Sequence, residues 1–271
     1  MSHQTCRTGC IVLKNVDFGE SDRIITLYSP DRGRFTAIAK GAKRSQKRFV
    51  NKLEEFSLLN ISYRPAKYSR LHFLCEAELK EAFISLRTDW QRYCAAILAN
   101  ELVLRFTGEH DPDRRIFSLL HWLLESLHHG ASPLPTVVFF HLHLLDACGY
   151  RPRLEHCATC SCSLDKIRVL NFALQPGNGT LLCSRCSGNP DRSRFTLSLQ
   201  SLKFLQTAQG MTTKQMHRLQ MPKNVASECL YVLYSYSKYL LQCDIHSWSF
   251  LSQITGKQSK RNRGKTNISE A

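Results

Sequence analysis

The sequence predicts an α+β chain: a small closed β-barrel first, then a helical domain with a four-cysteine element set into it. Three observations carry that expectation. Short apolar runs rich in β-branched residues, separated by turn signals, fill residues 1–80. From about residue 80 the apolar residues recur at i, i+3 and i+4. Two Cys-x-x-Cys pairs, Cys157/Cys160 and Cys183/Cys186, then interrupt the helical pattern.

Five runs make the barrel. Cys10–Leu13 is a short apolar stretch and Arg23–Tyr28 a second. The turn signal Ser29-Pro30-Asp31-Arg32-Gly33 leads back into Arg34–Ala39, so the second and third strands form a hairpin. Phe56–Tyr63 and Leu71–Cys75 supply the fourth and fifth. Five short strands in this length suit an OB-fold, a barrel that commonly binds nucleic acid.

The helices follow. Leu79, Ala82, Phe83, Leu86, Trp90, Tyr93, Ile97, Leu98 and Leu104 trace one long amphipathic helix, broken at His110-Asp111-Pro112-Asp113. A second runs through Ile116, Leu119, Leu120, Leu123 and Leu127, and a third from about Leu134 to Cys148. Leu197–Thr207 and Val225–Cys243 are two more. The expected organisation is a barrel over 1–80, a helical domain over 81–150 and 191–250, and the four-cysteine element over 151–190. A basic tail over 256–271, with Lys257, Lys260, Arg261, Arg263 and Lys265, is too poor in apolar residues to bury a core and reads as disordered.

Two Cys-x-x-Cys knuckles aim four thiolates at one point, the closed tetrahedral set of a structural Zn²⁺ site. Between them, Val169–Leu174, the turn Pro176-Gly177-Asn178-Gly179 and Thr180–Leu182 read as the hairpin of a zinc ribbon. Cys162 is a competing ligand, disfavoured because Cys-x-x-Cys sets both sulfurs more naturally than Cys-x-Cys. Cys94, Cys148 and Cys229 fall singly in helical patterns, as reduced thiols do, and the first 20 residues lack the apolar run of a signal peptide. A reducing compartment is expected, and no run reaches the length of a membrane span.

Lys and Arg number 37 against 22 Asp and Glu, a formal net charge of +15, which favours a polyanion partner. The surplus is concentrated: Arg32, Arg34, Lys40, Lys43, Arg44, Lys47, Arg48 and Lys52 follow one another with no acid between Asp31 and Glu54. All but Lys52 are the candidate DNA-binding residues. Phe35, Phe49 and Tyr63 lie close by, but Phe35 and Tyr63 alternate with polar neighbours as core residues do. Asp111 and Asp113 could hold Mg²⁺ in a nuclease, but Asp-Pro-Asp is better read as a helix start. His121, His128, His129, His141 and His143 form no metalloprotease pattern, and neither a Walker loop nor a Ser-His-Asp arrangement emerges. No enzyme is expected. The rival reading is a zinc-ribbon protein of RNA or transcription.

The chain resembles the RecO family of DNA-repair recombination mediators. The resemblance rests on Asp17-Phe18-Gly19-Glu20-Ser21-Asp22-Arg23-Ile24-Ile25-Thr26-Leu27-Tyr28, on Gly33-Arg34 with Ala39-Lys40-Gly41-Ala42-Lys43-Arg44-Ser45, and on Leu144–Pro152 leading into Cys157. Glu55 stands where the family commonly has Pro. The resemblance implies an OB-fold, a helical domain and a four-cysteine zinc element, in a cytoplasmic bacterial protein. It implies binding to single- and double-stranded DNA and annealing of complementary strands. It also implies partners: RecR, the acidic C-terminal tail of the single-stranded-DNA-binding protein, and through them RecA. Members without the cysteines imply that the metal serves stability rather than activity.

Overall fold

A computed structural model describes residues 5–66, 71–161, 171–187, 195–216 and 220–255. Cys162 and the tail over 256–271 lie outside the described residues.

Strands β1 (Cys6–Phe18), β2 (Asp22–Ser29), β3 (Gly33–Ala39), β4 (Leu58–Arg64) and β5 (Leu71–Glu81) close a barrel in the order β1-β2-β3-β5-β4. All neighbours are antiparallel except β3 and β5. Strand β1 is longer than its apolar run because it serves two partners. Its first half pairs with β4 and its second half with β2, with a bulge between Val12 and Lys14.

The continuous run Cys10–Leu13 is explained by burial of both faces. Cys10 and Val12 point into the barrel with Ile25, Leu27, Phe35 and Leu59. Ile11 and Leu13 point the other way, into the core of the helices. Asn100, fully buried on a helix, donates through Nδ2 to the Val12 and Leu13 carbonyls at 3.3 and 2.9 Å, reading the bulge where strand pairing lapses.

The helices are α1 (Ser85–Thr88), α2 (Trp90–Phe106), α3 (Arg114–His128), α4 (Pro133–Ala147), α5 (Leu199–Gly210), α6 (Lys223–Leu241) and α7 (Trp248–Thr255). The expected single helix from residue 80 is corrected. Strand β5 continues to Glu81, so Leu79 belongs to the sheet, and Phe83 turns the chain with φ 45°. Asp89 is extended and caps α2, accepting from Gln91 N and Arg92 N. Leu197, expected in a helix, lies instead in β9 (Thr196–Ser198), and Ser198 caps α5. Helix α7 was not expected. The Glu101 carboxylate holds its approach, accepting from His246 N, Ser247 N and Ser247 Oγ at 2.6–3.0 Å.

Helix α4 is apolar on nearly every side because it runs through the centre of the helical core; Val137, Phe139, Phe140, Leu144 and Leu145 are all fully buried. Strands β6 (Arg153–Cys157), β7 (Asn171–Gln175), β8 (Thr180–Cys183) and β9 form a second sheet, ordered β6-β8-β7-β9. Its hairpin turn rests on α6: Gly179 has φ +64°, and a Cβ there would meet Tyr236 Oη at 2.6 Å. Among the described residues, no helix is long and apolar enough to cross a membrane.

Candidate nucleic-acid interface and metal centre

The cationic run is not one surface. Arg32 and Arg34 stand where β3 begins and Lys40 where it ends, so the strand separates them by roughly 20 Å. The backbone at the start of β3 packs against the helical domain. His110 N donates to the Arg34 carbonyl at 2.9 Å, and Arg114 pairs with Asp31 at 2.8 Å. Gly33, with φ +66°, lies so close to Asp111 that a Cβ would sit 2.3 Å from its carbonyl oxygen.

Residues 40–56 gather Lys40, Lys43, Arg44, Lys47, Arg48 and Lys52 on one folded lobe between β3 and β4. Asp22 starts it, accepting from Gly41 N at 2.8 Å. That bond and the Ser21 hydroxyl hold the Asp22 carboxyl below its usual range. Ser45 Oγ accepts from Arg48 N and Phe49 N at 3.1 and 3.2 Å. Lys52 Nζ donates to the Lys47 and Arg48 carbonyls, and Arg48 reaches back to the Lys40 carbonyl. Phe49 and Leu53 plug the lobe into the barrel core.

An acid-free sequence does not make an acid-free surface. Lys43 pairs with Asp17 at 3.2 Å, and Arg44 approaches Glu20 at 3.7 Å. The Lys43 ammonium holds the Asp17 carboxyl below its usual range. The exposed Lys40, Lys47 and Arg48 make no ion pair among the described residues. Phe35, Phe49 and Tyr63 are all buried in the barrel, so none is a stacking platform.

The four cysteines converge. Cys157 ends β6, Cys183 ends β8, and Cys160 and Cys186 sit in the turns that follow. The four Sγ atoms lie within 4.8 Å of one another, and those of Cys160 and Cys183 are 3.8 Å apart. A tetrahedron of thiolates around a metal at about 2.3 Å has edges of about 3.8 Å. The two knuckles match: Ser161 N donates to the Cys157 carbonyl and Ser187 N to the Cys183 carbonyl, both at 2.9 Å. Burial raises the Cys157 thiol, but backbone N–H groups of Cys160, Cys183 and Thr159 outweigh it and bring the thiol down to about 6. Hydrogen bonding to Cys183 and Cys160 pushes the Cys186 thiol the other way, up to about 12, so the low value belongs to Cys157 and not to the set. Four soft sulfur donors converge on one point, as a bound metal needs. No other such cluster of His, Cys, Asp or Glu occurs among the described residues.

The remaining candidates hold structural posts. Asp113 caps α3 through Arg115 N, and both its oxygens are taken by the Arg115 guanidinium. His141 Nε2 lies 2.6 Å from Ser237 Oγ, His128 Nδ1 lies 2.7 Å from Ser85 Oγ, and His143 Nε2 lies 3.0 Å from the Ala208 carbonyl. Sequence reasoning missed Asp17, Asp22 and Ser45 as the lobe's supports. All three stand in the segments that carry the family resemblance, with no role assigned to them there.

Comparison with known proteins agrees with this architecture. The family model for the N-terminal part of recombination protein O matches residues 1–83, and that for its C-terminal part matches residues 87–249. The chain belongs to the RecO family. It is similar to the DNA repair protein RecO of Roseiflexus sp. strain RS-1, with 32% identity over 94% of this chain and 87% of that protein. The DNA repair protein RecO of Syntrophobacter fumaroxidans is 32% identical over 92% of this chain and 98% of its own length. That of Anaeromyxobacter sp. strain K is 35% identical over 68% of this chain and 71% of its own. The two RecO models meet where β5 gives way to α1, and the four cysteines fall within the C-terminal one.

Proposed function

We propose that this chain is a DNA-binding recombination mediator. It binds single- and double-stranded DNA, anneals complementary strands and, with RecR, helps load RecA onto strands coated by the single-stranded-DNA-binding protein, whose acidic tail it engages. The observation that carries this reading is the lobe: Lys40, Lys47 and Arg48 are exposed and make no ion pair among the described residues, on a hydrogen-bonded loop of a barrel in a RecO-family chain. Such cations neutralise phosphates and release counterions, which screens the repulsion between two strands being paired. The protein makes and breaks no bond, and it works in the cytoplasm.

The four thiolates of Cys157, Cys160, Cys183 and Cys186 suit Zn²⁺, which would fill a closed site with no position open for substrate. Its service is to fix the second sheet against α5 and α6.

The experiment is annealing of complementary strands already coated by the partner protein, with and without this chain. Faster annealing of DNA is expected. No acceleration would remove the mediator reading, and an equal or larger effect on RNA strands would favour the zinc-ribbon RNA alternative.

A further inference from the structure

The lobe overhangs an open groove of about 620 Å³ on the outer face of β1, β4 and β5. Lys47, Arg48 and Lys52 enter it from the lobe, and the strands supply two rows. Arg7, Ser62 and Glu76 lie side by side in register, followed by Gly9, Asn60 and Glu78. Glu78 is engaged, with Lys80 at 2.7 Å and Asn60 Nδ2 at 3.4 Å. Glu76 is exposed and makes no hydrogen bond or ion pair among the described residues.

A free carboxylate in a phosphate-binding groove repels the chain it serves, unless it meets a donor on that chain. An ionised carboxylate only accepts hydrogen bonds. On a DNA strand the donors belong to the bases. Guanine alone presents two adjacent donors, N1–H and N2–H, on its pairing edge. Adenine and cytosine set one amine beside a ring acceptor, and thymine sets one N–H between two carbonyls.

We propose that this groove takes a guanine of a single DNA strand, its pairing edge on Glu76 and its flanking phosphates on Lys47, Arg48 and Lys52. The inference rests on the DNA-binding reading above and adds a base preference to it. A strand, rather than a free nucleotide, is favoured because Arg48 donates to the Lys40 carbonyl, which sets the exposed Lys40 beside the groove's cations. Pairing with a complement withdraws that edge, so the annealed product gives up a contact that the single strand made.

The test is the affinity of the full chain, by fluorescence anisotropy in dilute salt, for three oligonucleotides of equal length: all thymine, thymine with interspersed guanine, and the same with inosine, which lacks the N2 amine. Guanine is expected to tighten binding roughly fivefold, the low end for a bidentate pair because the groove is open. Inosine should fall between. In Glu76→Gln the guanine-to-thymine affinity ratio should collapse toward one, while Glu78→Gln should keep most of it. Equal affinity for guanine and thymine strands, or an unchanged ratio in Glu76→Gln, overturns the guanine site and leaves DNA binding standing. If no oligonucleotide binds, the DNA reading falls as well.

Discussion

Lys43 and Lys47 carry the same charge four positions apart, and the fold gives them different work. Lys43 is tied to Asp17 and to the Gly19 carbonyl, while Lys47 faces solvent at the groove. Replacing Lys47 and Arg48 with Ala together should remove two phosphate contacts, flattening the logarithmic salt dependence of single-strand binding by about 1.4. Lys43→Ala should change that slope by less than half as much. Equal effects in a salt titration of both variants would show that the pairing with Asp17 does not matter. The charge run was legible from sequence because lysines and arginines can be counted. The strand expected over Arg34–Ala39 already sets Arg34 and Lys40 a strand-length apart; what was not legible is that the helices pack on its first end and that Asp17 pairs with Lys43, because both contacts are long-range. Asp22 supplies a pH test of the same lobe. Its folded-state value lies below 3.8, so its contribution is present above that value and disappears as pH falls through the lowered one. Asp22→Asn should therefore remove part of the stability difference between pH 5 and pH 2, measured by denaturant midpoints.

Among the elements, those with a strong period were visible, and those set by neighbours were not. Helix α3 follows its apolar spacing, and α4 was visible as a mostly apolar run between Pro133 and Gly149. The break at Asp89 was hidden because Leu79, Ala82 and Phe83 happen to continue the helical step, while pairing with β4 keeps Leu79 in the sheet. Helix α7 escaped because its start is fixed by Glu101, far away in sequence. The turn and the strands β7 and β8 on either side of it were readable because cysteine spacing and a Gly-rich turn are local signals; Val169 and Leu170 lie outside the described residues, and the outer strands β6 and β9, which pairing alone creates, were not expected. Two element contacts yield predictions. Gly33→Ala forces a Cβ into the Asp111 backbone at positive φ, so the hairpin and the α2–α3 connection must part; a loss of more than about 2 kcal/mol is expected in chemical denaturation. Between α4 and α6, burial pushes His141 down to about 3. The unfolded chain then binds a proton that the native one refuses. Stability is therefore full above about pH 6.5 and declines by up to about 1.4 kcal/mol for each unit toward 3. His143, also lowered by burial, adds to the slope. His141→Gln should make the pH dependence shallower in the same window; an unchanged curve would place the acid sensitivity elsewhere.

At the scale of the whole molecule the barrel and the helices are joined through β1, whose residues alternate between the two cores, and the metal module is joined through its own ligands. Cys157 and Cys183 are buried in the same apolar cluster as Leu154, Phe172, Leu181, α5 and α6. The cationic part of the lobe instead packs through Ala42, Phe49 and Leu53 on the separate cluster inside the barrel, to which no ligand cysteine belongs; only Phe56, at the lobe's end, enters the helical core, against Tyr93. Metal loss should therefore be felt as stability and scarcely as affinity. Cys183→Ser, or exhaustive chelation, should abolish one bound metal in native mass spectrometry. It should also lower the melting temperature by roughly 10 °C, the scale of losing about 3 kcal/mol in a chain of this size. Well below that temperature, oligonucleotide affinity should stay within about twofold, because the barrel keeps its core and its lobe. A metal-free chain that melts normally would leave the cysteines without a structural role. One that stays folded but loses DNA would mean that the second sheet touches the strand directly, and the division between a binding barrel and a metal-stiffened helical body would have to be redrawn.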